Sequence, residues 1–318
     1  MMMKVCIVGP GAVGSQIAAA LVQGGAAASV LARGAHLNAI RDRGLVIATA
    51  DREERVSIAA SDDAGKLGPQ DVVVFTVKAP ALAAAMTQAR PLLGKATEIV
   101  AGMNGVPWWF MSEKVKPLLD PDGVIAATIG GASVIGGVIY TAAHVAAPGR
   151  IMLTVPRRRL TLGLVPGAKS IHLEKLAGIL DRGGLPTKIS ASIGIDVWTK
   201  LIGNLSGNLI ATVVGLPLNE AFAHPDNREA ARRIIDEAKL LAAALGYPVK
   251  VDTDRMVADS AGIPHRPSTL QDFEAGRAIE IDALFRAPLA LARSANVATP
   301  TLDDWFGRLT AKIEARTS

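Results

Sequence analysis

The chain has 318 residues, half of them apolar and few aromatic, and carries a formal net charge of +5. That length exceeds one ordinary core and implies two domains, while the mild basicity suits anionic small ligands without requiring nucleic acid. Its single cysteine, Cys6, excludes a disulfide framework, fits a reducing cytoplasm, and stands on an apolar strand where a thiol is inert.

The first predicted strand, Lys4–Val8, runs into Gly9-Pro10-Gly11-Ala12-Val13-Gly14, and a helix opens at Ala12. No secretory signal is read, because the apolar stretch ends in this turn. Between a strand and a helix, each glycine has a task. Gly9 allows the tight turn, Gly11 lets the backbone approach a pyrophosphate, and Gly14 lets helix and strand pack closely. Together with the free N–H groups of Ala12 and Val13, they form a dinucleotide cradle. The second strand, Ala28–Ala32, ends in Arg33, where an NAD-binding unit carries an acid; the nearest downstream acid is Asp42. A guanidinium suits a 2′-phosphate, so NADP (NADPH) is favoured over NAD.

Further strands are predicted at Asp71–Val77, Glu98–Ala101 and Val124–Thr128, alternating with helical patterns as in a parallel doubly wound sheet. Ligands of such sheets bind beyond the C-terminal strand ends, where Lys78 and Met103-Asn104-Gly105 lie. The stretch between Asp122 and Arg150 lacks formal charge, but its glycines and Pro148 indicate short strands and turns rather than a membrane span. From about Ser133 to Val165 the pattern is strand-turn-strand, with breaks at Gly136-Gly137, Pro148-Gly149 and Arg157–Arg159. The arginine run has no interleaved aromatics and reads as a solvated hairpin turn, not a nucleic-acid patch.

A helix at Ser170–Arg182 and a strand at Thr187–Ile189 complete a first domain, 1–189. The remainder, 190–318, is read as all-helical, with segments at 195–213, Asn227–Leu245, within 268–296, and at 302–315. The fold class is therefore α/β: an N-terminal doubly wound Rossmann-type sheet with an antiparallel extension, plus a C-terminal all-α domain.

Two clusters of the helical part carry candidate chemistry. Lys200, Asn204 and Asn208 recur every four residues, which puts them on one helical face with a drift of about 40° per step. A polar stripe in a Leu-, Ile- and Val-rich segment faces a ligand, a partner helix or solvent. A lysine beside a desolvated ketone is a suitable proton donor. Ser268 with Gln271 reads equally as a capping box or a ligand contact. Ser268 and Glu280 would be about 18 Å apart on one continuous helix, so a shared ligand requires a break, expected at Gly276-Arg277.

The Gly9–Gly14 turn, Phe75-Thr76-Val77-Lys78, Met103-Asn104-Gly105, the Lys200/Asn204/Asn208 stripe, Ser268 and Glu280-Ile281-Asp282 appear in one order. This set resembles the ketopantoate reductase (2-dehydropantoate 2-reductase) family over essentially the whole chain. The resemblance implies NADPH-dependent reduction of 2-dehydropantoate to (R)-pantoate, a step toward pantothenate and coenzyme A. It implies Lys200 as proton donor and Glu280 as the acid that orients it. It also implies Asn204 and Asn208 on substrate hydroxyls, Ser268 near the substrate carboxylate, and Asn104 and Lys78 holding cofactor and substrate. Arg33 falls where the family grips the 2′-phosphate. No metal is implied.

Two departures concern the substrate: Pro80 stands where an aromatic is frequent, and Trp108-Trp109-Phe110 follow the Asn-Gly turn as ligand wall or as core. The alternatives are reduction of a different 2-keto acid, or a non-catalytic NADP(H)-binding sensor. The helical apolar surface fits a monomer and a homodimer alike.

Overall fold

The computed structural model describes residues 1–110, 112–154 and 158–317. Its strands are β1 (Lys4–Val8), β2 (Ala27–Leu31), β3 (Leu45–Ala48), β4 (Glu53–Val56), β5 (Ala59–Ser61), β6 (Gln70–Phe75), β7 (Leu93–Ala101), β8 (Val134–Tyr140), β9 (Ala143–Ala147), β10 (Arg150–Leu153), β11 (Arg159–Leu164) and β12 (Thr187–Ile189). An eight-stranded sheet runs β12-β11-β8-β7-β6-β1-β2-β5, and a four-stranded sheet runs β4-β3-β10-β9. The long sheet is parallel except at β8 and β11, which pair antiparallel, so the doubly wound sheet gains the expected extension.

Central strands β1 and β6 are buried nearly end to end, as continuous apolar runs demand when both faces are covered. Cys6 lies in β1, where burial pushes its thiol up to about 11 and leaves it an unreactive core group.

Two strand assignments need correction. Val124–Ile129 is a helix, entered through Gly123 in the left-handed region (φ 66) and burying Ile125 and Ile129 four residues apart. The sheet position expected for that segment belongs to β8, which contains Gly136-Gly137 inside the strand rather than at a break. A Cβ on Gly137 would stand 3.4 Å from the Ala101 carbonyl oxygen, so the glycine pair allows close strand approach. Short strands β3, β4 and β5 have no counterpart among the predicted elements. Of the arginine run, Arg157 lies outside the described residues. Arg158 donates to the Gly184 carbonyl at 3.0 Å, and Arg159 lies 4.2 Å over the Tyr140 ring.

Contacts divide the chain into two units, 1–103 with 122–193, and 104–121 with 194–318. The segment 104–121 therefore groups with the helical unit, whereas the sequence division at 189/190 leaves it in the first. Each unit has its own core. The first centres on Val5, Ile7, Ile17, Leu21, Val72 and Val74; the second on Trp198, Leu205, Ile234, Leu241, Phe285 and Leu309. Ile193–Gly203, Asn204–Asn208 and Leu209–Val214, all but Ile193 in the second unit, form one uninterrupted helix whose middle turn is widened to i→i+5 bonding.

The glycine turn shows how the sheet fixes its neighbours. Gly9 has φ 83, and a Cβ there would stand 2.3 Å from Val77 Cγ1. A Cβ on Gly14 would meet Thr76 Oγ1 at 2.3 Å and the Gly9 carbonyl oxygen at 2.7 Å. Replacing Gly14 by Ala therefore forces the helix off β1 and is expected to destabilise by about 1–3 kcal/mol. The check is thermal unfolding, and an unchanged Tm would show that helix and sheet separate freely.

Candidate active site

The first unit presents an anion cradle. Residues Gly9–Gly11 are held by Gly9 N–H to the Leu31 carbonyl (3.2 Å), Thr76 Oγ1 to the Gly9 carbonyl (2.8 Å) and Ser15 Oγ to the Pro10 carbonyl (2.7 Å). The helix Ala12–Gln23 starts with no side-chain cap and no acid in its first turn, so its first N–H groups point outward without an intrahelical acceptor. Unlike Gly9 and Gly14, Gly11 has no atom within 4 Å of where a Cβ would sit. That open space lies beside an uncapped helix end, whose free N–H groups and positive dipole end suit an anion.

A cavity of about 340 Å³ adjoins the turn, lined among others by Gly9, Gly11, Arg33, His36, Val77 and Gln88. Arg33 caps the helix Gly34–Arg43 with its backbone; its exposed side chain makes no hydrogen bond or ion pair among the described residues. The guanidinium is available to a second anionic group. His36 accepts the Gly149 N–H at Nδ1 (3.0 Å), which fixes the proton on Nε2, and burial pushes its pKa down, so the ring is neutral. His36 and Gln88 have no motif in the sequence; only the fold brings them here. Lys78 is exposed and precedes the turn Ala79–Ala81; Val77 and Ala81 line the cavity, while Lys78 is not among its walls.

The second unit gathers the remaining candidates. Lys200 lies in the last turn of Ile193–Gly203, and its Nζ donates to Asn104 Oδ1 at 2.7 Å. Burial pulls the Lys200 pKa down to about 8, opposed by the negative charge of Glu280, which is itself buried. An ammonium has only donors, so Asn104 must turn its oxygen to Lys200 and keep its Nδ2 donors for another acceptor.

Asn204 and Asn208 bound the widened turn. An α-helical step of four residues overshoots a full turn by about 40°, whereas the same step through i→i+5 turns falls short of one. The drift expected from Lys200 to Asn204 is thus reversed between Asn204 and Asn208, which keeps the three side chains closer to one line. Ser206 Oγ bonds the Ile202 and Gly203 carbonyls (3.1 and 3.3 Å), and Thr212 Oγ1 the Asn208 carbonyl (2.6 Å), so hydroxyls serve backbone oxygens through the turn. Asn208 Nδ2 donates to the buried Thr269 Oγ1 at 3.2 Å, a partner not marked by any sequence motif.

The capping-box reading of Ser268 is overturned. Pro267 occupies the cap of the helix Ser268–Glu274, and Gln271 Nε2 turns to the Arg266 carbonyl (2.7 Å). Ser268 is exposed, with no side-chain hydrogen bond among the described residues. The break expected at Gly276-Arg277 is present: Gly276 has φ 67, and helix resumes only after Glu280. Arg277 Nε bonds the buried Asp272 Oδ1 at 2.8 Å and staples the turn. Trp108 is buried, with Trp109 edge-on at 5.6 Å, and Phe110 packs on Tyr247 (4.9 Å) and Trp198 (6.4 Å). These contacts favour the core reading for that segment. Asn219 buries an Oδ1 with no partner among the described residues.

Among the described residues no group of side chains could hold a metal ion, and no helix is long and apolar enough to cross a membrane. The parallel sheet with its glycine turn defines a Rossmann-type fold, joined in one chain to a helical unit that carries Lys200. Residues 5–167 match the family model "Ketopantoate reductase PanE/ApbA", and residues 193–312 match the C-terminal model of the same family. The chain belongs to the ketopantoate reductase family. It is 38% identical over 310 residues to a 2-dehydropantoate 2-reductase of Mesorhizobium japonicum, covering 95% of each chain. A second relative of that name, from Aquifex aeolicus, is 26% identical over 95% of this chain and 94% of its own. The crystal structure of 2-dehydropantoate 2-reductase from Methylococcus capsulatus superposes with a TM-score of 0.85 at 26% identity, covering 99% of this chain and 98% of that one.

Proposed function

We propose that the protein reduces a 2-keto acid with NADPH, and that the acid is 2-dehydropantoate, giving (R)-pantoate on the way to pantothenate and coenzyme A. The observation that carries this reading is Lys200: a desolvated ammonium with pKa about 8, held by Asn104 and countered by Glu280, in a chain of this family. The relatives named above share that substrate in their names, and 38% identity over 310 residues supports carrying it here.

The first-unit cradle fits NADPH: Gly11 with the N–H groups of Ala12 and Val13 would hold the pyrophosphate, and Arg33 the 2′-phosphate. When bound, the nicotinamide supplies a hydride equivalent. Lys200 gives its proton to the ketone oxygen as negative charge grows there, and its fixed charge favours the transition state over the ground state. A pKa near the working pH lets the amine both release and regain that proton. Glu280 keeps Lys200 protonated and oriented. Asn104 Nδ2 donates to the keto acid or the cofactor, with Lys78 a further contact of the first unit. Asn204 and Asn208 hold the substrate hydroxyl, and Ser268 Oγ donates to the carboxylate. We place the protein in the cytoplasm, a setting that its single buried cysteine suits.

The test is NADPH oxidation by the purified protein across a panel of 2-keto acids, with 2-dehydropantoate giving the highest kcat/KM. Preference for another acid would move the substrate, and NADPH binding without turnover of any would indicate a sensor. Gly11→Ala serves as a companion to Gly14→Ala. Its methyl enters open space, so Tm is expected to stay within about 2 °C while the Kd for NADPH rises roughly tenfold.

A further inference from the structure

The second unit holds a second widened turn, Asp282–Arg286, just beyond Glu280. Such turns release a backbone carbonyl from the regular helical ladder. Here the Ala283 carbonyl accepts the N–H of Val106 at 2.7 Å. Beside that bond lies Gly105, with φ 84. A Cβ on it would stand 2.5 Å from the Ala283 oxygen and 2.8 Å from the Ala283 Cβ. Glycine is thus required at 105 for its backbone conformation and again for the close approach. The residue immediately before it, Asn104, bonds Lys200 Nζ. The residue two positions before the widened turn, Glu280, supplies the opposing charge, and its carbonyl accepts the Leu284 N–H at 2.9 Å.

We propose that Gly105 and the Ala283 carbonyl are positioning residues: the widened turn at 282–286 is a dock that seats residues 104–106 and thereby fixes Asn104 and Glu280 together around Lys200. One short segment carries both neighbours of the ammonium, Glu280 along the chain and Asn104 by docking. The two partners are therefore set by a single structural element, and displacement of the 104–106 turn alters Lys200 without touching it. This rests on Lys200 being the proton donor of a reductase, although its first readout needs neither substrate nor cofactor.

Lys200 ionisation can be followed in the ligand-free full-length protein by the pH dependence of its acylation with acetic anhydride, located by mass spectrometry. Asn104 Oδ1 accepts from the charged amine and so favours that form; its loss should raise the neutral fraction at pH 7 about threefold. Asn104→Ala is expected to give that change, Gly105→Ala the same change, and the double variant no more than either. With 2-dehydropantoate, both single variants should lower kcat at least about tenfold. Ala283→Val crowds the dock from the other side without strained backbone at 105, and it serves if Gly105→Ala does not fold. A folded Gly105→Ala or Ala283→Val protein with unaltered Lys200 acylation would overturn the proposal, as would fully additive effects in the double variant. A shift in acylation without turnover of any keto acid would keep the dock and discard the reductase reading.

Discussion

Lys200→Ala is expected to lower kcat with 2-dehydropantoate by about 10²–10⁴-fold while leaving the Kd for NADPH within about twofold. The loss has two sources. The reaction loses its proton donor, and it loses a fixed positive charge in desolvated surroundings where such a charge acts strongly. The pH profile separates them. A general acid must be protonated to act, so wild-type kcat/KM should fall as pH rises through about 8, the value to which burial pulls Lys200. Lys200→Arg keeps a charge but holds its proton at every accessible pH, so it should remain slow and lose the alkaline limb. Steady-state kinetics from pH 6 to 10 on the three proteins is the check. Near-normal turnover by Lys200→Ala would remove the lysine from the chemistry.

The second large effect is expected at Arg33. Its side chain has no partner among the described residues, it lines the cavity beside Gly9 and Gly11, and no acid stands at that strand end to receive a ribose hydroxyl. A guanidinium forks onto phosphate with charge-assisted bonds, worth about 1.5–3 kcal/mol in total. Arg33→Ala should therefore raise the Kd for NADPH by roughly 10- to 100-fold and leave that for NADH within about twofold. Arg33→Asp should go further and favour NADH. Fluorescence titration with both dinucleotides decides it, and equal weakening toward both would place Arg33 away from the 2′-phosphate.

What the sequence discloses depends on how local the cause is. Gly9 and Gly14 were readable because a positive φ and a helix–strand contact act within a few residues or on the adjoining strand. The break at Gly276-Arg277 was readable because a ligand shared by Ser268 and Glu280 would require one, and the glycine marks its place. Val124–Ile129 misleads because a β-branched and alanine-rich hexamer suits either state, and only Gly123 and burial of Ile125 and Ile129 choose the helix. The widened turns at 204–208 and 282–286 are invisible to a 3.6-residue template. Asn104 could be placed at a strand end, but its contact with Lys200, 96 positions away, is a product of tertiary packing. The same is true of the Lys200 pKa, which follows from burial rather than from any motif.

The proposed reaction is hydride transfer to a 2-keto acid with Lys200 as the acid. It is tested most directly by incubating the protein with 2-dehydropantoate and NADPH deuterated at the transferring position of nicotinamide C4, then examining the product by NMR and mass spectrometry. The expected product is (R)-pantoate carrying one deuterium at C2, formed by the wild type and reduced to trace amounts in Lys200→Ala. Bound NADPH with no labelled hydroxy acid from 2-dehydropantoate or any other 2-keto acid would contradict it.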